Sequence, residues 1–393
     1  MIIWGGVILL YRTLGKTNEK VSTLGFGCMR LPIIDGDTTK IDEEKAIEMI
    51  HHAIDEGVNY VDTAYPYHGT GMGQGGQSEP FVGRALRDGY REKVNLATKL
   101  PSWLIKTRED MDKYLNEQLE RLQTDRIDFY LVHALNKDMW ENLKKLGINE
   151  FLDAAIKDGR IRYAGFSFHD KLPVFKEIVD YYDWSFCQIQ YNYLDEEFQA
   201  GTEGLHYAAD KGLGIVIMEP LRGGKIVKNL PDEVMNTFDK AEIKRSPAEW
   251  ALRWVWNHPE VSVVLSGMNI MDNVTENIKT ASEAAPNSLT EKELEIMNNV
   301  KDVFKERVKV NCTACEYCMP CPVGVNIPKN FACYNEYSLF VTPATQKELK
   351  ARYNSVADKE IADKCVECGK CEGHCPQAIK IREELKNVTA LFA

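Results

Sequence analysis

The chain has 393 residues, with 48 Lys and Arg against 59 Asp and Glu, giving a net charge of −11. Its hydrophobic share of 44% is ordinary for a globular protein, and its length suits one large barrel with an appendage or two to three average domains. No basic run points to nucleic acid or an anionic membrane, and the longest apolar stretch, IIWGGVILLY at residues 2–11, is too short to span a bilayer.

That stretch lacks the basic start and small-residue cleavage site of a secretory signal, so a buried first strand or an upstream start codon explains it better, and the protein is expected to be cytoplasmic. Eight short apolar runs follow. They are TLGFGCM (23–29), VNYVDTA (58–64), KVNLATK (93–99), RIDFYLVH (126–133), IRYAGFSF (161–168), SFCQIQYN (185–192), GIVIMEP (214–220) and VSVVLSGM (261–268). Each is rich in β-branched or aromatic residues and apolar on both faces, as strands of a covered parallel sheet are. Between them the apolar residues recur every three or four positions, as in DEEKAIEMIHHAIDEG (42–57), EDMDKYLNEQLERL (109–122) and NEFLDAAIKDG (149–159). The alternation predicts an α/β chain whose residues 1–300 form a (β/α)8 TIM barrel. A doubly wound sheet is the alternative, but no strand is followed by GxGxxG. The glycine-rich GTGMGQGGQ (69–77) follows no strand directly and reads as a flexible loop, with a phosphate cradle as the alternative.

In such a barrel, chemistry sits at the C-terminal strand ends. The second run carries Asp62, with Tyr67 in the loop behind it; the third ends in Lys99 and the fourth in His133. Any one of these has a structural explanation. Three successive strand ends closed by ionisable groups do not suit packing, because a buried unpaired charge is costly. The set suits protonation of a carbonyl oxygen while hydride reaches the carbonyl carbon. A tyrosine ionises near 10, so it needs a neighbour that stabilises the phenolate. Lys99 supplies that charge, Asp62 holds Lys99, and His133 orients the oxygen. Trp103 would wall a pocket there, and Glu219, Arg222 and Lys225 would lie on its rim. Trp250 and Trp254, one helical turn apart, read as core.

VDTAYPY, ATKL and FYLVHAL, in this order and on these strands, resemble the Asp–Tyr–Lys–His tetrad of the aldo-keto reductases. The resemblance implies Tyr67 as general acid with Asp62, Lys99 and His133 around it. It also implies a barrel that binds NADP(H) or NAD(H) without a Rossmann fold and acts on a small carbonyl or alcohol. It places Ser167 and Gln188 on the nicotinamide amide, with Phe168 where the family has asparagine. Met218 stands in for the tyrosine that stacks on the nicotinamide. Gly267, Asn273 and Asn277 fall in the family's last nucleotide-binding stretch, which here lacks the cation that grips a 2′-phosphate.

A helix over LTEKELEIMNNVKDVFKERV leads out of the barrel. Residues 301–393 then hold nine of the eleven cysteines. The run CVECGKCEGHCP is C-x2-C-x2-C-x3-C-P, the spacing of bacterial ferredoxins. Zinc sites pair two C-x2-C knuckles across a longer gap; zinc and a single cluster with a cysteine knot are the alternatives. The reading is a small, mainly α, ferredoxin-like domain with two [4Fe–4S] clusters. The ferredoxin analogy assigns Cys312, Cys315, Cys318 and Cys375 to one cluster and Cys321, Cys365, Cys368 and Cys371 to the other, leaving Cys333 spare.

The combination resembles an iron–sulfur subgroup of the aldo-keto reductases. Hydride carries two electrons and a cubane passes one, so a flavin- or ferredoxin-linked electron-transfer enzyme is a second reading. A redox-sensing barrel without catalysis is a third. A ferredoxin or other electron carrier is the partner these clusters imply.

Overall fold

The computed structural model describes residues 9–340, 346–354 and 360–393. The strand expected at residues 2–11 lies for the most part outside the described residues. Two compact units form: Met1–Gly223 with Ala248–Thr290, and Gly224–Pro247 with Glu291–Ala393.

The first unit is a closed, all-parallel barrel of eight strands. They are β1 (Leu24–Gly27), β2 (Tyr60–Asp62), β3 (Asn95–Leu100), β4 (Ile127–Leu135), β5 (Ile161–Phe168), β6 (Phe186–Gln190), β7 (Gly214–Met218) and β8 (Val261–Ser266). β8 closes on β1 through Val264 opposite Leu24 and Ser266 opposite Phe26. Burial on both faces follows from the covering helices. The helix Glu43–Asp55 begins where the Asp42 side chain accepts the Lys45 N–H, and it turns Ala46, Met49, Ile50, Ala53 and Ile54 inward. The helix Arg108–Leu122 starts with a reciprocal capping box between Thr107 and Asp110. Trp250 and Trp254 are buried, as their spacing predicts.

A short antiparallel ribbon, Tyr11–Thr13 with Lys20–Ser22, precedes the barrel. Three-residue strands are too brief for alternation to reveal. Its Leu14 and Val21 join Tyr60, Phe129, Phe186 and Val216 in one apolar cluster, filling the barrel interior. Gly214 opens β7 because a Cβ there would come within 2.5 Å of Leu14 Cγ. β4 carries an irregularity: its register against β5 shifts between Val132 and Leu135, and Ala134 has φ +52°. Such bulges re-aim side chains beside sites.

The second unit is helical: Asp232–Phe238, Glu291–Glu306, Ile327–Phe340, Gln346–Asn354 and Ile381–Phe392. Met297, Val300 and Phe304 form the buried stripe of the long helix, and Phe304 tilts against Phe340 at 5.8 Å. A core of Val325, Ile327, Phe331, Tyr353, Ile381, Leu385, Val388 and Phe392 lies beside the cysteines, with Tyr353 stacked on Phe392 at 4.0 Å. Among the described residues no helix is long and apolar enough to cross a membrane.

Candidate active site and cysteine-lined cavities

The parallel barrel brings all strand C-termini to one mouth, so residues far apart in sequence meet there. Asp62 ends β2, Lys99 is next to last in β3, His133 occupies the β4 bulge, and Tyr67 lies five residues beyond Asp62. Lys99 Nζ donates to Asp62 Oδ1 at 2.7 Å, to the Thr63 carbonyl at 2.7 Å and to Tyr67 Oη at 3.3 Å. Lys99 has no exposed surface and Asp62 only 3%. The His133 ring stands edge-on to Tyr67 at 6.2 Å, and Trp103 tilts over it at 5.1 Å. The four residues form one contiguous group.

Their electrostatics follow from burial and from each other. Burial alone would lower the Lys99 ammonium, but Asp62 and Tyr67 outweigh it and hold the group above its usual range. Burial raises the Tyr67 phenol, and Lys99 offsets part of the rise. His133 is held well below its ordinary value near 6.5 by burial, with Lys99 and His169 adding to the effect. It therefore stays neutral and keeps one N–H to donate. An unfolded histidine takes up a proton below about 6.5 and this buried one does not. Its contribution to stability is thus complete above that pH and erodes as pH falls. His133→Gln should flatten this acid limb in urea unfolding followed between pH 7 and 5; an unchanged slope would show that His133 is not the titrating group.

The proposed nucleotide contacts divide into two groups. Ser167 Oγ, on β5, accepts the Ala134 N–H at 2.7 Å, and so pins the bulge that aims His133. Its own proton is left to donate. Gln188, on β6, has its amide nitrogen 3.4 Å from Met218 Sδ, while its buried Oε1 has no hydrogen-bond partner among the described residues. The same holds among the described residues for the buried Asp62 Oδ2 and His133 Nδ1. A hydroxyl donor beside an orphaned amide oxygen fits the oxygen and NH2 of a nicotinamide carboxamide. Phe168 cannot supply the missing asparagine contact, because it is fully buried and packs on Phe175 at 5.1 Å. Asn277 is buried and donates to Ser266 Oγ at 3.0 Å, bracing the end of β8. Asn273 donates to the Asn269 side chain at 3.2 Å on the surface, and Gly267 is exposed directly after β8.

Sequence reasoning missed two contributors. The Thr63 carbonyl is a full partner of Lys99, and a backbone atom has no signature in the sequence. Arg30, after β1, pairs with Glu219 at 3.6 Å, and Arg222 pairs with Asp195 at 3.3 Å. Lys225 belongs instead to the second unit, where it pairs with Glu336.

In the second unit Cys312, Cys315, Cys318 and Cys375 line one cavity, with Ile327 and Phe331 behind them. Cys321, Cys365, Cys368 and Cys371 line another, which Cys318 also touches. Cys333 is half-buried outside both. Among the described residues no three His, Cys, Asp or Glu side chains close on a single ion. Two cavities edged by thiols are chemically suited to iron–sulfur clusters, whose ligands are thiolates.

Comparison with known proteins finds two families along the chain. The aldo/keto reductase family profile matches residues 23–301, and a 4Fe-4S dicluster domain matches residues 311–379. The uncharacterized oxidoreductase YrpG of Bacillus subtilis is 28% identical over 329 residues, covering 74% of this chain and 95% of that protein. L-galactose dehydrogenase of Arabidopsis thaliana is 26% identical, covering 69% of this chain and 88% of its own. The holo form of aldo-keto reductase AKR11C1 from Bacillus halodurans superposes with a TM-score of 0.61 at 28% identity, over 74% of this chain and 96% of its own. With residues 23–301 and 311–379 matched in this way, the chain belongs to the aldo/keto reductase family and carries a C-terminal 4Fe-4S dicluster domain.

Proposed function

We propose that residues 1–300 reduce a small aldehyde or ketone, or oxidise the corresponding alcohol, and that residues 301–393 hold two [4Fe–4S] clusters. The contact of Lys99 Nζ with both Asp62 and Tyr67 carries this reading. NADPH or NADH, when bound, supplies the hydride. Tyr67 Oη gives its proton to the carbonyl oxygen. Lys99, held charged by Asp62, stabilises the phenolate left behind. His133, neutral, donates a hydrogen bond to the same oxygen and orients it. Ser167 and Gln188 hold the carboxamide, Met218 offers a polarizable face to the ring, and Gly267, Asn273 and Asn277 border the nucleotide. A reducing, cytoplasmic compartment suits nine clustered cysteines.

The test is isotopic. Anaerobic enzyme given carbonyl substrates and cofactor deuterated at C4 should place deuterium on the carbinol carbon of the product, as read by mass spectrometry. Failure of transfer with both cofactors across an aldehyde and ketone panel would sink the proposal.

The clusters extend it. A [4Fe–4S] cubane passes one electron at a time, so a ferredoxin or another one-electron carrier is the proposed partner of the dicluster domain. Direct exchange with a hydride needs a centre that takes two electrons and passes one. Flavin in the mass spectrum of cofactors released from anaerobically purified protein would favour the electron-transfer reading. Cys371→Ser should halve the bound iron and sulfide while the other cluster stays, as measured by colorimetric assay and electron paramagnetic resonance of the reduced protein. Full retention of both would overturn the ligand assignment.

A further inference from the structure

The glycine-rich segment 69–77 finds its explanation beneath the tetrad. The Gly76 N–H donates to the Tyr65 carbonyl at 2.7 Å and the Ser78 N–H to the Tyr67 carbonyl at 3.2 Å, folding the segment back on the loop that carries Tyr67. A Cβ on Gly76 would fall 1.9 Å from the Tyr67 carbonyl oxygen, so only glycine closes this turn. The Gly76 carbonyl accepts from Arg121, whose Nε donates to Glu79 Oε2 at 2.8 Å and whose guanidinium lies 5.3 Å over the Tyr65 ring.

The other oxygen of Glu79 holds a different part of the chain. Glu79 Oε1 accepts from Thr98 Oγ1 at 2.7 Å and from Gln118 Nε2 at 2.6 Å. That Gln118 nitrogen also donates to the Lys99 carbonyl at 3.0 Å, and Tyr130 Oη donates to Gln118 Oε1 at 2.8 Å. Glu79 and Gln118 have no exposed surface. One buried carboxylate therefore ties the Tyr67 loop, through Arg121, to the Lys99 strand, through Thr98 and Gln118. Buried ion pairs rarely add stability over apolar packing of the same volume. What such a pair does supply is a fixed geometry, and the geometry spanned here is the 3.3 Å contact between Lys99 and Tyr67.

We propose that Glu79, with Arg121 and Gln118, is a positioning residue that sets the distance between the Lys99 ammonium and the Tyr67 hydroxyl. This rests on the reading of Tyr67 as proton donor. Glu79→Gln keeps an acceptor for Thr98 and Gln118 but turns an amide NH2 toward Arg121. It should lower kcat for carbonyl reduction about tenfold to a hundredfold, as small misplacements of reacting groups do, with KM nearly unchanged and the alkaline limb of the kcat–pH profile displaced. In a Tyr67→Phe background the same change should add no further loss. Wild-type kcat and pH profile in folded Glu79→Gln, or a loss that multiplies with that of Tyr67→Phe, would overturn the proposal. Should Glu79→Gln not fold, Arg121→Lys, which retains the charge but not the fork, is expected to show the same displaced limb, and an unmoved limb would overturn it. Tyr67 ionisation, read by ultraviolet difference titration against Tyr67→Phe, should shift in either variant. It decides the positioning role even if no carbonyl is turned over, an outcome that would sink the proton-donor reading alone.

Discussion

Replacing Tyr67 by phenylalanine should lower kcat for carbonyl reduction by about 10³-fold, within the range a positioned general acid supplies, and leave KM close to that of the parent. The ring and its packing against His133 stay; what is lost is the hydroxyl, with its proton and the hydrogen bond it accepts from Lys99. The pH dependence carries a sign as well. Burial raises the phenol above its ordinary value near 10, with Lys99 offsetting part of that rise, so the proton is in place throughout the neutral range. Reduction should then be flat across neutral pH and fall only in alkali, whereas alcohol oxidation, which needs the phenolate, should rise with pH. Steady-state kinetics in both directions check this. Unchanged reduction by Tyr67→Phe would show that another group delivers the proton.

Lys99→Met should have the largest combined effect on stability and rate. It removes a fully buried ammonium and leaves Asp62, also buried, without its charge partner. Breaking a buried pair in this way costs about 3–5 kcal/mol. Lys99→Met/Asp62→Leu should recover most of that stability, because no orphan charge remains, yet stay catalytically dead, because nothing stabilises the phenolate. Urea unfolding and turnover, measured on the same three proteins, separate the two roles. Equal stability of the single and double variants would show that Asp62 does not depend on Lys99. The Lys99 ammonium is held above its usual range by Asp62 and Tyr67 against burial. Its contribution to stability is therefore complete below about 10.5 and is lost as pH rises through the higher folded value. The parent should lose stability in strong alkali where the double variant does not.

Much of the barrel was legible because parallel strands covered on both faces leave unbroken apolar runs, and each run reads without its neighbours. All eight runs are strands of the closed barrel. The ribbon Tyr11–Thr13 with Lys20–Ser22 was not, since three residues carry no periodicity. Composition alone reads the glycine-rich segment as a flexible loop or a phosphate cradle. Its last turn is tied at the Gly76 carbonyl by Arg121, more than forty positions away, and no local pattern reports a partner at that separation. Phe168 illustrates the limit of aligning by motif. Its position matches the family's asparagine, but its ring belongs to the layer between strand and helix, where it packs on Phe175.

By itself the sequence determined the order of Asp62, Tyr67, Lys99 and His133 along the strands and the spacing of the cysteine runs, because both are properties of local chain geometry. Tertiary structure alone decided that the Thr63 carbonyl completes the shell of Lys99 and that Ser167 holds the bulge which aims His133. The reason is physical. A charge buried in the barrel mouth must find its partners among whatever atoms barrel closure brings near, backbone carbonyls included. Closure joins segments whose separation along the chain says nothing of their distance in space.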